Sequence, residues 1–109
     1  MAYDERLAKR VRSVVSSRAG VEEKKMFGGL AFLLDRHMFC GVIGADLVVR
    51  VGAGATRAAL ESPHTRPMDF TGRTLAGYVY VAPAEVEGDA ALRSWFEQAA
   101  AFAASLPPK

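Results

Sequence analysis

EEKKMFGGLAFLLDRHMFCGVIG, from Glu22 to Gly44, sets two lysines, a Met-Phe and a glycine pair ahead of a strongly apolar run. If Gly28-Gly29 cradled a phosphate, the next segment would open a helix; if the pair bends the chain, the next segment enters a sheet. A phosphate-binding loop needs two glycines spaced around four residues and then Lys-Ser or Lys-Thr at the start of a helix. Here the lysines precede the glycines and the following residues read as a strand, so the order is wrong for a phosphate. The pair is expected to be a bend, with Met26 and Phe27 packing into the core beside it.

Working outward, three strand-like runs follow in quick succession, Leu30 to Leu34, Met38 to Ile43 and Leu47 to Val51. Asp35-Arg36-His37 and Gly44-Ala45-Asp46 separate them, and connections that short permit only antiparallel hairpins, with Gly44 supplying the positive backbone angle of a tight turn. Before them, Leu7, Val11, Val14 and Val15 recur at helical spacing between Asp4 and Ala19, with Arg6, Lys9, Arg10 and Arg12 toward the other side. Asp4 and Glu5 suit the positive end of that helix, and Gly20 is its expected stop.

After the third strand, Gly52 to Ser62 holds a short alanine-rich helix ending before Pro63. Pro67 to Phe70 is extended, Thr71-Gly72 is a turn, and GYVYVA from Gly77 to Ala82 alternates as a strand must, with Tyr78 and Tyr80 on one face and Val79 and Val81 on the other. Leu92, Trp95, Phe96, Ala99, Phe102, Ala103 and Leu106 line one side of a last helix, with Asp89 as its expected N-cap and Pro107-Pro108 as its end. The order α-β-β-β-α-β-β-α gives a two-layer α+β domain, an antiparallel five-stranded sheet with helices, over residues 1–109 as one domain.

Composition narrows the function classes. Half the residues are apolar and about a quarter charged, the balance of a globular chain, and a formal net charge of +2 selects neither nucleic acid nor a membrane as partner. MAYDERLAKR lacks the apolar stretch of a secretory signal, so a cytoplasmic location is expected. The one cysteine, Cys40, allows no internal disulfide and no ordinary structural zinc site.

Several motifs imitate chemistry. VGAGATRAAL, Val51 to Leu60, begins like a dinucleotide fingerprint, but Arg57 stands where the third glycine belongs and the preceding strand lies in an antiparallel meander. Cys40 and His37 resemble a thiol and its base, yet their odd separation on one strand is expected to send them to opposite faces, leaving Cys40 a small core residue. Asp35 and His37, in an exposed turn, are too few for a metal. No catalytic, cofactor-binding or metal-ligating set is therefore expected. The polar surface is the better candidate: His64, Arg66 and Arg73 fall around SPHTRPMDFTGRTLAGYVYV, where two short loops are expected to approach each other, and Lys24 and Lys25 add charge next to the basic helix.

MFGGLAFLLD at Met26 to Asp35 and RPMDFTGRTLAGYVYV at Arg66 to Val81, with DLVVRV between them, resemble the N-terminal domain of the TfoX/Sxy family, bacterial regulators of natural competence. The resemblance implies a two-layer domain related in topology to secretion-chaperone-like folds, with no established catalytic residues and no cofactor. Longer members of that family carry a second, C-terminal domain and act on transcription together with the cyclic-AMP receptor protein; this chain is expected to be a stand-alone first domain that keeps the capacity to bind a partner. Three readings stay open at this point. One is an interaction module, possible as a homodimer, that modulates a protein partner; another is nucleic-acid binding through the first helix and Lys24-Lys25; the third is a small-molecule enzyme using His64, Arg66, Asp69 or Cys40.

Overall fold

The computed structural model describes residues 3–26, 28–70 and 73–107. Its elements run α1 (Glu5–Val15), β1 (Val21–Met26), β2 (Gly29–Leu34), β3 (His37–Ile43), β4 (Asp46–Arg50), α2 (Thr56–Leu60), β5 (Thr65–Phe70), β6 (Arg73–Val81) and α3 (Asp89–Ala104), with 3-10 turns before α2 and α3. Every pairing between these strands is antiparallel, and the strand order is β1-β2-β3-β4-β6-β5. The α+β class expected from the sequence is borne out, but the sheet has six strands rather than five. The added strand is β1, whose residues VEEKKM are mostly exposed and carry no apolar alternation to betray them. Pairing with β2, from Val21 opposite Leu34 to Met26 opposite Gly29, makes it a strand.

The glycine pair is a bend, as its order relative to the lysines requires. Gly28 has φ +73 in the turn between β1 and β2, with open space around it. Gly29 serves a different need: a Cβ there would run into the Val42 carbonyl oxygen and come within 3.2 Å of the Ile43 Cα, so β2 and β3 approach closely only because that side chain is missing. Met26 joins the core from its edge, while Phe27 lies outside the described residues. Asp35 and Arg36 both have positive φ, 50 and 72, which is the two-residue turn whose twist matches that of the flanking strands. The turn is therefore one residue shorter than expected, and His37 belongs to β3. Gly44 has φ +58 between β3 and β4.

All three helices cover one face of the sheet. Leu7, Val11 and Val14 of α1 and Leu92, Trp95, Phe96 and Ala99 of α3 pack with Phe32, Phe39, Val49 and Val79 of the strands in one buried cluster. Fully burying each large side chain contributes about 1.5–3 kcal/mol. The exposed Arg10–Asp89 and Arg12–Glu23 pairs contribute less than about 1 kcal/mol each, so packing, not ion pairing, holds the layers together.

The helix ends differ from expectation. Helix α1 stops at Val15 instead of Ala19, and Gly20, at φ +85, turns the chain toward β1 rather than capping the helix. Its start is as read, since the Arg6 and Leu7 amides donate to Asp4 Oδ1 at 2.8 and 3.1 Å. At α3 the N-cap is Gly88 and Asp89 is the first helical residue, where its carboxylate faces the positive end of the helix. The turn expected at Thr71-Gly72 lies outside the described residues.

The two glycines should respond unequally to alanine. Gly29→Ala is expected to cost about 3 kcal/mol because backbone must move to admit the methyl, whereas Gly28→Ala costs about 1 kcal/mol for its left-handed conformation alone. Urea unfolding of the two variants measures the difference.

Candidate functional site

A second cluster of Ala31, Leu33, Met38, Val48, Met68 and Tyr80 is buried on the other face of the sheet, and among the described residues no helix contributes to it. Met26, Ile43 and Tyr78 are half-buried at its margin. Strand alternation accounts for the division: Tyr78 and Tyr80 project to this face, Val79 and Val81 to the helices, as the GYVYV pattern requires.

Polar side chains frame this helix-free face. Arg66, opposite Tyr80 in the β5–β6 ladder, lays its guanidinium 4.5 Å from the centre of the Tyr80 ring and donates to Asp46 Oδ2 at 2.7 Å. That hydrogen bond raises the pKa of Arg66. The Tyr80 hydroxyl donates to the Asp69 carbonyl oxygen at 3.1 Å, and its pKa is raised by burial first and by the nearby Asp69 charge second. At the far end of β4, Arg50 sits between two aromatic rings, 5.4 Å from the centres of Tyr78 and Phe102, and donates to the Met38 carbonyl oxygen at 3.3 Å. Sequence reasoning did not single out Arg50; its only signal was its place two residues after inward-facing Val48, on the same side of the strand.

The residues singled out from the sequence do not form one patch. His64 stands exposed before β5 with φ +63, while Arg73 pairs with Phe70 at the opposite end of the β5–β6 hairpin, so the expected approach of their two loops does not occur. The side chain of Arg73 lies outside the described residues. Lys24 and Lys25 diverge as well: Lys24 lies opposite Ala31 on the helix-free face and Lys25 opposite Leu30 on the helix side. On α1, Arg10 pairs with Asp89 and Arg12 with Glu23, which removes two of its four cations from any shared basic field.

The mimics of catalytic motifs resolve in the same way. A bulge in β3 changes the expected relation of His37 and Cys40, because Phe39 is inserted between the Leu33–Met38 and Phe32–Cys40 pairs. Phe39 and Cys40 thereby both join the helix-side cluster, and His37, opposite Leu34, lies on that side too, not the opposite one. They still make no nucleophile and base. His37 is buried, not in an exposed turn, and its Nε2 donates to the Pro107 carbonyl oxygen at 2.8 Å. Burial alone pushes the Cys40 thiol far above its ordinary pKa, which suppresses the reactive thiolate. Cys40 inside the helix-side core, His64 in an exposed turn and Arg66 on the helix-free face do not converge on one pocket. At VGAGATRAAL, Gly52 has φ +89 and its Cα hydrogens face the Phe102 ring of α3, where a Cβ would come within 2.7 Å of Cδ1; the glycine serves packing, not a pyrophosphate.

Helices on one face of an antiparallel sheet and a tyrosine- and methionine-bearing surface on the other define a two-layer α+β domain. The sequence model of the TfoX N-terminal domain matches residues 13–103, and the chain belongs to that family. The match spans both stretches that carried the resemblance. No curated protein matches the chain. No helix among the described residues is long and apolar enough to cross a membrane.

Two outcomes check this assignment of side chains. Cys40 should react with a bulky disulfide reagent only as fast as the chain opens, so labelling in native buffer should be far slower than in denaturant. The Glu23 carboxyl, held below its ordinary pKa chiefly by hydrogen bonds from Arg12 at 2.7 and 2.9 Å, should add a small stability present above the usual carboxylate range and lost as pH falls through its lowered value. The stability gap between the natural chain and Arg12→Met, followed by thermal unfolding against pH, should close in acid.

Proposed function

We propose that this domain is a non-enzymatic interaction module that engages a regulatory protein partner through the helix-free face of its sheet. The observation that carries the reading is the make-up of that face: half-buried Met26, Ile43 and Tyr78 and the exposed Arg66 rim a centre of Met38, Met68 and Tyr80 that is buried within the chain, and methionine, tyrosine and arginine are residue types enriched at protein interfaces. Methionine side chains adapt to the shape of what they meet, and the half-buried Tyr78 offers a large apolar ring at little entropic cost. Membership of the TfoX N-terminal domain family supports a regulator-like role, with competence and transcription as the processes the family suggests.

This reading puts the partner on the sheet rather than on the basic side of α1, and nucleic-acid binding is the weaker alternative because the cations are divided among separate surfaces. A photoreactive phenylalanine placed at Tyr78 should capture a defined protein in cells that express the chain natively, and Ile43→Glu should abolish the adduct. The same probe at Glu97, on the exposed side of α3, should capture little. Equal capture from both positions, or adducts indifferent to Ile43→Glu, would count against the face as the contact.

A further inference from the structure

The sheet has two edges, β1 and β5, and they are built differently. Strand β5 contains Pro67, which lacks an amide hydrogen, and its register with β6 shifts between Pro67 and Asp69. Strand β1 has no proline and no glycine, and it keeps unbroken register with β2 over all six residues. Having one neighbour, it leaves half of its backbone hydrogen-bonding groups outward, and among the described residues no side chain or loop donates to them or accepts from them.

Charged side chains on such an edge ordinarily discourage pairing. Here their order does the reverse for one occupant. In an antiparallel pair related by a two-fold axis perpendicular to the sheet, helix-side residues face helix-side residues and helix-free residues face helix-free ones. Val21, Glu23 and Lys25 belong to the helix side of β1; Glu22, Lys24 and Met26 belong to the other. With the axis at Glu23, Glu22 lies opposite Lys24 of the partner copy, and the symmetry repeats that pair. Val21 lies opposite Lys25 of the partner copy. The two Glu23 carboxylates meet at the axis, but each is held by its own Arg12 through two hydrogen bonds, so that centre is neutral. Moving the axis to Glu22 sets Glu22 against Glu22 with no bound counter-charge; moving it to Lys24 sets Lys24 against Lys24 likewise, and the Glu23–Lys25 pairs that register would bring compete with the hydrogen bonds Arg12 already makes to Glu23.

From this we infer that two copies of the chain pair through β1, antiparallel and centred on Glu23, to form one continuous sheet of twice the width. The partner is a second copy because, about Glu23, Glu22 and Lys24 of one β1 each meet the opposite charge on the other, and Glu23 is already neutralised by Arg12. The pairing is independent of whatever occupies the helix-free face.

Sedimentation velocity of the full chain should show a monomer–dimer equilibrium that weakens as salt rises. Glu22→Lys and Lys24→Glu should each weaken self-association by roughly tenfold or more, because both cross-strand pairs become like-charged. Mixed together, the two variants should form a heterodimer, resolved by native mass spectrometry, since Lys at one position then faces Glu at the other. Both positions are exposed, so thermal unfolding of each monomer should stay close to that of the natural chain. Hydrogen exchange on the unsubstituted chain gives a second reading: amides from Val21 to Met26 should gain protection as concentration rises, and those of β5 should not. A chain that stays monomeric at the highest concentration, a dimer indifferent to either substitution, variants that do not pair when mixed, or protection appearing at β5 instead would each overturn the inference.

Discussion

Phe39 meets Phe96 edge to face, with ring centres 5.7 Å apart and planes inclined by 62°, and this contact fixes α3 to the middle of the sheet. It depends on the bulge in β3. One extra residue in that strand turns both Phe39 and Cys40 toward the helices, which gives α3 a broad apolar seat where strict alternation would offer a narrower one. Because the helices are held there, no helix among the described residues joins the opposite face, and the division between the two faces follows from that one insertion.

How much of this was legible in the sequence depends on which periodicity each segment carried. The α1 stripe and the GYVYV alternation bury one side of an element apiece, so their pattern reports their place directly. Central strands β2 and β3 are buried on both faces, and their near-continuous apolar runs mark them as strands without revealing the bulge. Strand β1 was invisible for the opposite reason: with four of its six residues exposed, nothing in VEEKKM distinguishes a strand from a polar loop until its partner is known. The missing sixth strand was therefore a matter of pairing, which local composition does not encode.

The surface was less legible than the core. Grouping His64, Arg66 and Arg73 by sequence proximity overlooked the length of the β5–β6 hairpin, which carries Arg73 away from His64. Likewise, adjacent residues such as Lys24 and Lys25 point to opposite faces as soon as they enter a strand, so a basic dipeptide becomes two unrelated charges. Arg66 kept its value as a candidate because alternation placed it over Tyr80, where its stacking joins the frame of the helix-free face.

Pro67 has a consequence for how large an assembly this fold permits. An open sheet with two receptive margins could add copies without limit and grow into a fibre. A margin interrupted by a residue that cannot donate, and shifted in register beside it, ends that growth, so any lateral extension proceeds from one side only and closes as soon as that side is occupied.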